Sequence, residues 1–277
     1  IVPFSFAISS LRLREYKAWI KRAKKWLIVS IIILGIGIMM GAYWAYETLN
    51  FGGYWNWDPV ENAVYVPWLF LVAALHSVIL TQKNNHNYMM SLILCVTSFI
   101  LILYSTFLTR SGILGDSSVH SFTDLGLSGQ LLVYLFSFVL ISVYLLVSRW
   151  RDIPYSDKEA KIYTGDFWLF IGVYTLILMS FQVILPTSIP VYNAIIEVFG
   201  GFSNLAPPVE KELFYSNAQI WFASCLALLS SIAQVLWWRG KQAKEKFALF
   251  SKSIVLTMIF SSLIILFWNT PQYKANT

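Results

Sequence analysis

The sequence predicts an all-α fold: a polytopic integral membrane helical bundle of about seven transmembrane helices plus part of an eighth. Three observations carry this. Of the 277 residues, 57% are hydrophobic and 12% charged, against roughly 25% charged in an ordinary soluble domain. The apolar residues gather into runs close to the ~20 residues that cross a bilayer. The basic residues cluster between alternate runs, where a membrane protein keeps its cytoplasmic loops. A soluble core could not hide this much apolar surface, so lipid is the solvent for most of the chain. A net charge of +6 then follows from loop charges and calls for no nucleic acid.

The elements follow in order. The chain opens at Ile1 without a methionine, and Ile1 to Ser10 makes about 15 Å of helix, half a bilayer. The expectation is a spanning helix cut short, and a chain that is part of a longer protein. Full spans are expected at Trp26 to Glu47, Ala63 to Thr81, Tyr88 to Leu108, Gln130 to Ser148, Phe167 to Pro186, Ala218 to Trp238 and Ser253 to Trp268. Helices are required because every backbone N–H and C=O in lipid must find its partner within the segment. Seven Lys and Arg lie in Leu11 to Lys25, four in Arg149 to Asp166 and four in Arg239 to Phe250, whereas the alternate loops hold only Arg110, Lys211 and Lys274. The basic loops therefore face the cytoplasm, and Leu49 to Asn62 and Thr109 to Gly129 face the periplasm. Pro190 to Tyr215, rich in Gly and Pro, is the candidate boundary between halves. Cys95 and Cys225 both fall inside apolar runs, so the chain offers no disulfide framework, zinc site or CxxCH motif.

The loop after the first full span is unusual. Seven of the fifteen residues from Tyr43 to Trp57 are aromatic, against 17% in the whole chain. An interfacial aromatic belt accounts for Trp and Tyr at a helix end. It does not account for Gly52-Gly53. Two glycines between aromatics permit a sharp turn and a close approach to a flat ligand, with Tyr54, Trp55 and Trp57 supplying ring faces and indole N–H groups. Asp58-Pro59-Val60-Glu61 reads as a helix start: an N-cap acid, proline at the first position and glutamate at the third.

Phe51-Gly-Gly-Tyr-Trp-Asn-Trp-Asp-Pro-Val-Glu-Asn-Ala63 resembles the tryptophan-rich WWD signature of the haem-handling proteins of cytochrome c maturation, most closely the CcmF/NrfE branch of cytochrome c haem lyases. The resemblance continues through Pro67-Trp68-Leu69, Leu75-His76-Ser77, Thr106 to Gly112, Ser118 to Phe122 and Pro207-Pro208. At Phe51 and Tyr54 the family usually has tryptophan, so stacking is kept and two indole donors are lost. The resemblance divides the chain into a WWD haem-handling region, 1–129, and a truncated C-terminal CcmF-type membrane region, 130–277.

Three histidines follow. His76 lies thirteen residues after Ala63, about 20 Å along the second span. It is either a neutral histidine bonded within the bundle or a functional group, since ionisable side chains in lipid are costly. The resemblance implies an axial ligand of a resident haem b, the second histidine belonging to a later helix beyond Thr277. His120, by spacing alone a solvated loop residue, is implied to be the second of two periplasmic histidines that ligate the haem being delivered, the first preceding Ile1. His86 reads as a solvated turn residue. Arg110 is either a snorkelling interfacial cation or the holder of a haem propionate.

The resemblance thus implies a haem lyase subunit in the bacterial inner membrane, with the WWD loop in the periplasm. Its metal ligands are His76 and His120, and Gly52, Gly53, Tyr54, Trp55, Trp57, Asp58 and Arg110 surround its haem. Its implied partners are apocytochrome c, a periplasmic haem chaperone, thiol-reducing maturation subunits and quinol as electron source. Two other readings stand beside it: a haem transfer or chaperone-loading protein without lyase chemistry, and a membrane transporter whose aromatic loop is a gate.

Overall fold

The computed structural model describes residues 1–49, 53–85, 87–115, 117–118, 126–155, 164–237 and 243–268. These form α1 (Val2–Leu13), α2 (Ala18–Leu49), α3 (Pro59–Asn84), α4 (Tyr88–Arg110), α5 (Ser128–Arg149), α6 (Gly165–Thr187), α7 (Ile189–Val198), α8 (Lys211–Trp237) and α9 (Ala243–Trp268). The expected all-α membrane bundle is what forms. Among the described residues, six helices (α2 to α6 and α8) are long and apolar enough to cross a membrane. The seventh expected span falls in α9, where the described apolar stretch, Ser251–Ile264, is shorter.

Two differences from the sequence expectation have local causes. α2 starts at Ala18, earlier than Trp26, because Lys and Arg are good helix formers and extend the span beyond its apolar part. The expected Gly/Pro loop at 190–215 contains α7, started by Pro190 in its first turn and closed by Gly200 at φ 74.

α3 is the hub, packing against α2, α4 and α6; α6 packs in turn on α8, and α1 lies against α2, α4 and α5. The most apolar window of α3 is 61% buried, against 11% for α2 and α5, whose outer faces are left for lipid. Hydroxyls buried between α3 and α4 satisfy one another: Ser77 and Thr81 each lie 2.8 Å from the Ser91 hydroxyl.

Polar contacts define two ends. At the basic end, Lys83 pairs with Asp166 at 2.6 Å, Asn84 bonds the same carboxylate and Lys24 bonds Gln82. At the other, aromatic end, the start of α3 meets the end of α6 and the start of α8. The candidate site grows from that second junction.

Candidate functional site

The α3 start is a complete capping box. Val60 N–H donates to the Asp58 carboxylate at 3.2 Å, while Glu61 Oε2 accepts from the backbone N–H groups of Asp58 at 3.1 Å and Asn56 at 3.0 Å. Asp58 and Glu61 are both buried. Glu61 thus reaches back beyond the usual cap and fixes the last turn of the aromatic loop. Glu61→Ala strands two backbone donors, each worth about 1–3 kcal/mol when unmade. The expected result is a clear fall in melting temperature, largely restored in Glu61→Gln, whose amide oxygen still accepts; equal melting of Glu61→Ala and wild type would remove the cap from this account.

Trp57 takes a positive φ of 53, whereas Gly53 does not. A Cβ built at Gly53 would meet nothing nearer than 4.0 Å, so glycine is not demanded there; Gly52 lies outside the described residues. A bulky residue with positive φ is uncommon and persists only where its surroundings hold it. Four contacts do so. The Trp57 indole N–H donates to Ser216 Oγ at 2.8 Å, and its ring stacks on Tyr215, centroids 5.5 Å apart at 26°. Its carbonyl accepts from Asn62 Nδ2 at 3.1 Å, and Tyr65 meets its ring edge-on at 5.9 Å. Asn62 also donates to Thr187 Oγ1 at 3.1 Å, and Thr187 lies 3.2 Å from the Tyr215 hydroxyl. The circuit Trp57–Asn62–Thr187–Tyr215 therefore closes on itself and locks the loop to α3, α6 and α8.

The other aromatics extend this surface. Trp55 is half-buried, edge-on to Trp57 at 5.7 Å and to Tyr65 at 5.6 Å. Tyr54 is exposed and stacks on Tyr46 at 4.4 Å and Tyr43 at 6.5 Å, both from the end of α2. The segment after α4 is tied in as well: Ser118 Oγ–H donates to the Asp58 carboxylate, and Lys211 donates to the Ser117 carbonyl at 2.6 Å. Ser118 precedes His120 by two residues; His120 and His86 lie outside the described residues. Arg110 ends α4 at the same end of the bundle and is exposed.

His76 stands apart, about 26 Å along α3 from Pro59. It lines a cavity of about 580 Å³ between α3, α6 and α8, bounded by Val72, Trp168, Gly172, Leu176, Leu226 and Ser230 among others. Its Nδ1 lies 2.7 Å from the Val72 carbonyl. A carbonyl only accepts, so Nδ1 carries the proton, and it is Nε2 that is left for a metal. Among the described residues no group of three or more His, Cys, Asp or Glu gathers as a metal site. A single imidazole in a mostly apolar cavity suits a metal that brings its own macrocycle, and the residues present fit haem.

Thr187, Tyr215 and Ser216 carry no motif, and Asn62 stands within the WWD signature without a role of its own. In the sequence they are polar residues near span ends, and only the packing of α3, α6 and α8 reveals them as the holders of Trp57.

Comparison with known proteins places this geometry. Residues 1–114 match the family described as cytochrome C assembly protein. The cytochrome c-type biogenesis protein CcmF of Haemophilus influenzae is 32% identical over 243 residues, 87% of this chain and 36% of that protein. CycK of Bradyrhizobium diazoefficiens is 42% identical over 58% of this chain and 24% of its own length. NrfE of Haemophilus influenzae is 38% identical over 51% of this chain and 22% of its own. The chain thus spans little more than a third of such relatives. A solved structure described as cytochrome c heme lyase CcmF superposes with a TM-score of 0.67 over 95% of this chain and 38% of that one, at 24% identity, which shows a shared fold.

Proposed function

Because this chain belongs to the CcmF-type cytochrome c assembly proteins, we propose that it forms the haem-handling part of a cytochrome c haem lyase. The single observation that carries this is the locked aromatic surface from Tyr54 to Asp58, held against the segment that leads to His120. The WWD region, 1–129, supplies the surface, and the C-terminal region, 130–277, supplies its clamp. In this reading the loop faces the periplasm of the inner membrane, since the basic end takes the cytoplasmic side.

Haem is the substrate here, handed over by a periplasmic haem chaperone. Addition of an apocytochrome thiol S–H across a haem vinyl group forms one C–S and one C–H bond and needs no oxidant. The thiols must be reduced, which is the task of thiol-reducing maturation subunits. What this chain contributes is position: Trp55 and Trp57 present ring edges and faces, His120 would ligate the iron, and the lock at Trp57 keeps the two tryptophans in one arrangement before substrate arrives. At the second site His76 Nε2 would hold a resident haem b. That group supplies one-electron chemistry, with quinol as the electron donor. The protein's part is an imidazole oriented by Val72 in a cavity lined mostly by apolar side chains.

Arg110 is assigned to a haem propionate. Arg110→Ala should lower holocytochrome yield several-fold and Arg110→Lys should restore part of it; unchanged yield in Arg110→Ala contradicts the assignment. The function itself is tested by haem-stained gels of a strain dependent on this protein. His120→Ala and Trp55→Ala should abolish holocytochrome c while haem retention at His76 continues. Normal maturation in His120→Ala sinks the delivery site, and haem transfer without any dependence of thioether formation on these residues favours the loading reading.

A further inference from the structure

At the basic end, the turn between α1 and α2 meets the end of α5 in a cluster that the haem chemistry does not use. Arg14 closes α1 in a left-handed conformation, φ 60, and its Nε lies 3.4 Å from the Asp152 carboxylate; Arg149 approaches the same oxygen at 3.9 Å. Tyr16 is 7% and Trp19 4% exposed. The Tyr16 hydroxyl, Trp19 Nε1 and Arg149 Nε are all buried without a hydrogen-bond partner. Tyr16 sits in the field of Asp152, Arg149 and Arg14, and burial, with Asp152 next, pushes its hydroxyl pKa up. Its proton therefore stays on, leaving it a donor.

Three buried polar atoms without partners lie on the two segments that the Arg14–Asp152 contact joins, and each costs about 1–3 kcal/mol. Their chemistry defines what is missing. An indole N–H and a guanidinium Nε–H can only donate, so the complement must accept, and a group rich in acceptors and poor in donors is an anion. The surrounding charge agrees: Arg12, Arg14, Lys17, Arg149 and Arg151 face only Glu15 and Asp152 over the two segments. The cluster lies where α2 begins and α5 ends, at the basic end of the bundle, and beside a membrane the phosphodiesters of lipid headgroups are the abundant acceptor-only groups. We propose that Arg14, Tyr16, Trp19 and Arg149 form a binding site for the phosphate of an anionic lipid headgroup, fastening the α1–α2 turn to the end of α5.

The test compares melting temperature in nanodiscs of phosphatidylcholine with nanodiscs containing phosphatidylglycerol as well. Ligand that binds only the folded state raises stability, so wild type should gain several degrees with phosphatidylglycerol. Tyr16→Phe, which removes one unpaired donor, should melt no lower than wild type in phosphatidylcholine, and both it and Arg149→Lys, which keeps the charge and removes Nε, should lose most of the gain from phosphatidylglycerol. Because Arg149→Lys would also disturb the Asp152 contact, native mass spectrometry of wild type in mixed micelles gives a separate reading, retained phosphatidylglycerol in preference to phosphatidylcholine. Three outcomes overturn the proposal: no gain and no retained lipid in wild type, an equal gain in all three proteins, or the full gain from inorganic phosphate in phosphatidylcholine alone, which would make the ligand free phosphate.

Discussion

Gly172→Phe should lower haem retention at least about tenfold, equivalent to ~1.4 kcal/mol of binding, while leaving the protein folded and His76 intact. Gly172 lines the cavity beside His76, and a Cβ built there meets nothing within 4 Å. The new ring would occupy space that is open in the structure, so it displaces a ligand rather than a helix. Removing an interior glycine also favours α6 by about 0.5–1 kcal/mol. The measurement is haem per protein by the pyridine haemochrome assay, beside melting temperature. A variant that keeps its haem would show that the resident group lies elsewhere, and one that loses haem only because it unfolds would be recognised by its melting curve.

Asn62→Leu should separate the two sites. Asn62 is fully buried, and its amide donates both to the Trp57 carbonyl and to Thr187. Leucine is close in size and cannot donate, so the part-buried Trp57 carbonyl loses this donor, at a cost of up to about 1–3 kcal/mol. The positive φ of Trp57, itself costing about 1–3 kcal/mol, loses one of its holders. Near-UV circular dichroism should lose tryptophan signal and holocytochrome yield should fall tenfold or more, whereas the haem at His76, far along α3, keeps its spectrum. Asn62→Asp should behave as leucine does, because it accepts where donation is needed. Unchanged yield in both variants would mean that the lock at Trp57 does not matter to haem delivery.

The contrast between these two sites shows what the sequence could convey. The helix start at Asp58 to Glu61 was legible because capping is local: four consecutive residues contain the whole interaction. His76 was legible as an ionisable group within an apolar run, and the structure adds the tautomer and the cavity. The left-handed residue at Trp57 was not legible, since Gly52-Gly53 drew attention to the glycines and Gly52 lies outside the described residues. Glycine permits such a conformation on its own, whereas a tryptophan is forced into it by contacts 125 and 159 residues distant along the circuit, through Thr187 and Ser216. No pattern within a window of sequence records a contact of that kind. α7 was hidden for the opposite reason: Pro190 and Gly200 read as loop residues, yet they stand at the two positions where proline starts a helix and glycine ends one.

The central claim is that this bundle holds haem through its own residues, and the absorption spectrum of the dithionite-reduced protein, purified from haem-replete membranes, tests it most directly. Wild type should show stable b-type bands, and His76→Ala should lack them while keeping its helical circular dichroism and a cooperative melting transition, lowered only by the loss of bound haem. Identical spectra from wild type and His76→Ala, or a wild-type protein without haem, would contradict the account.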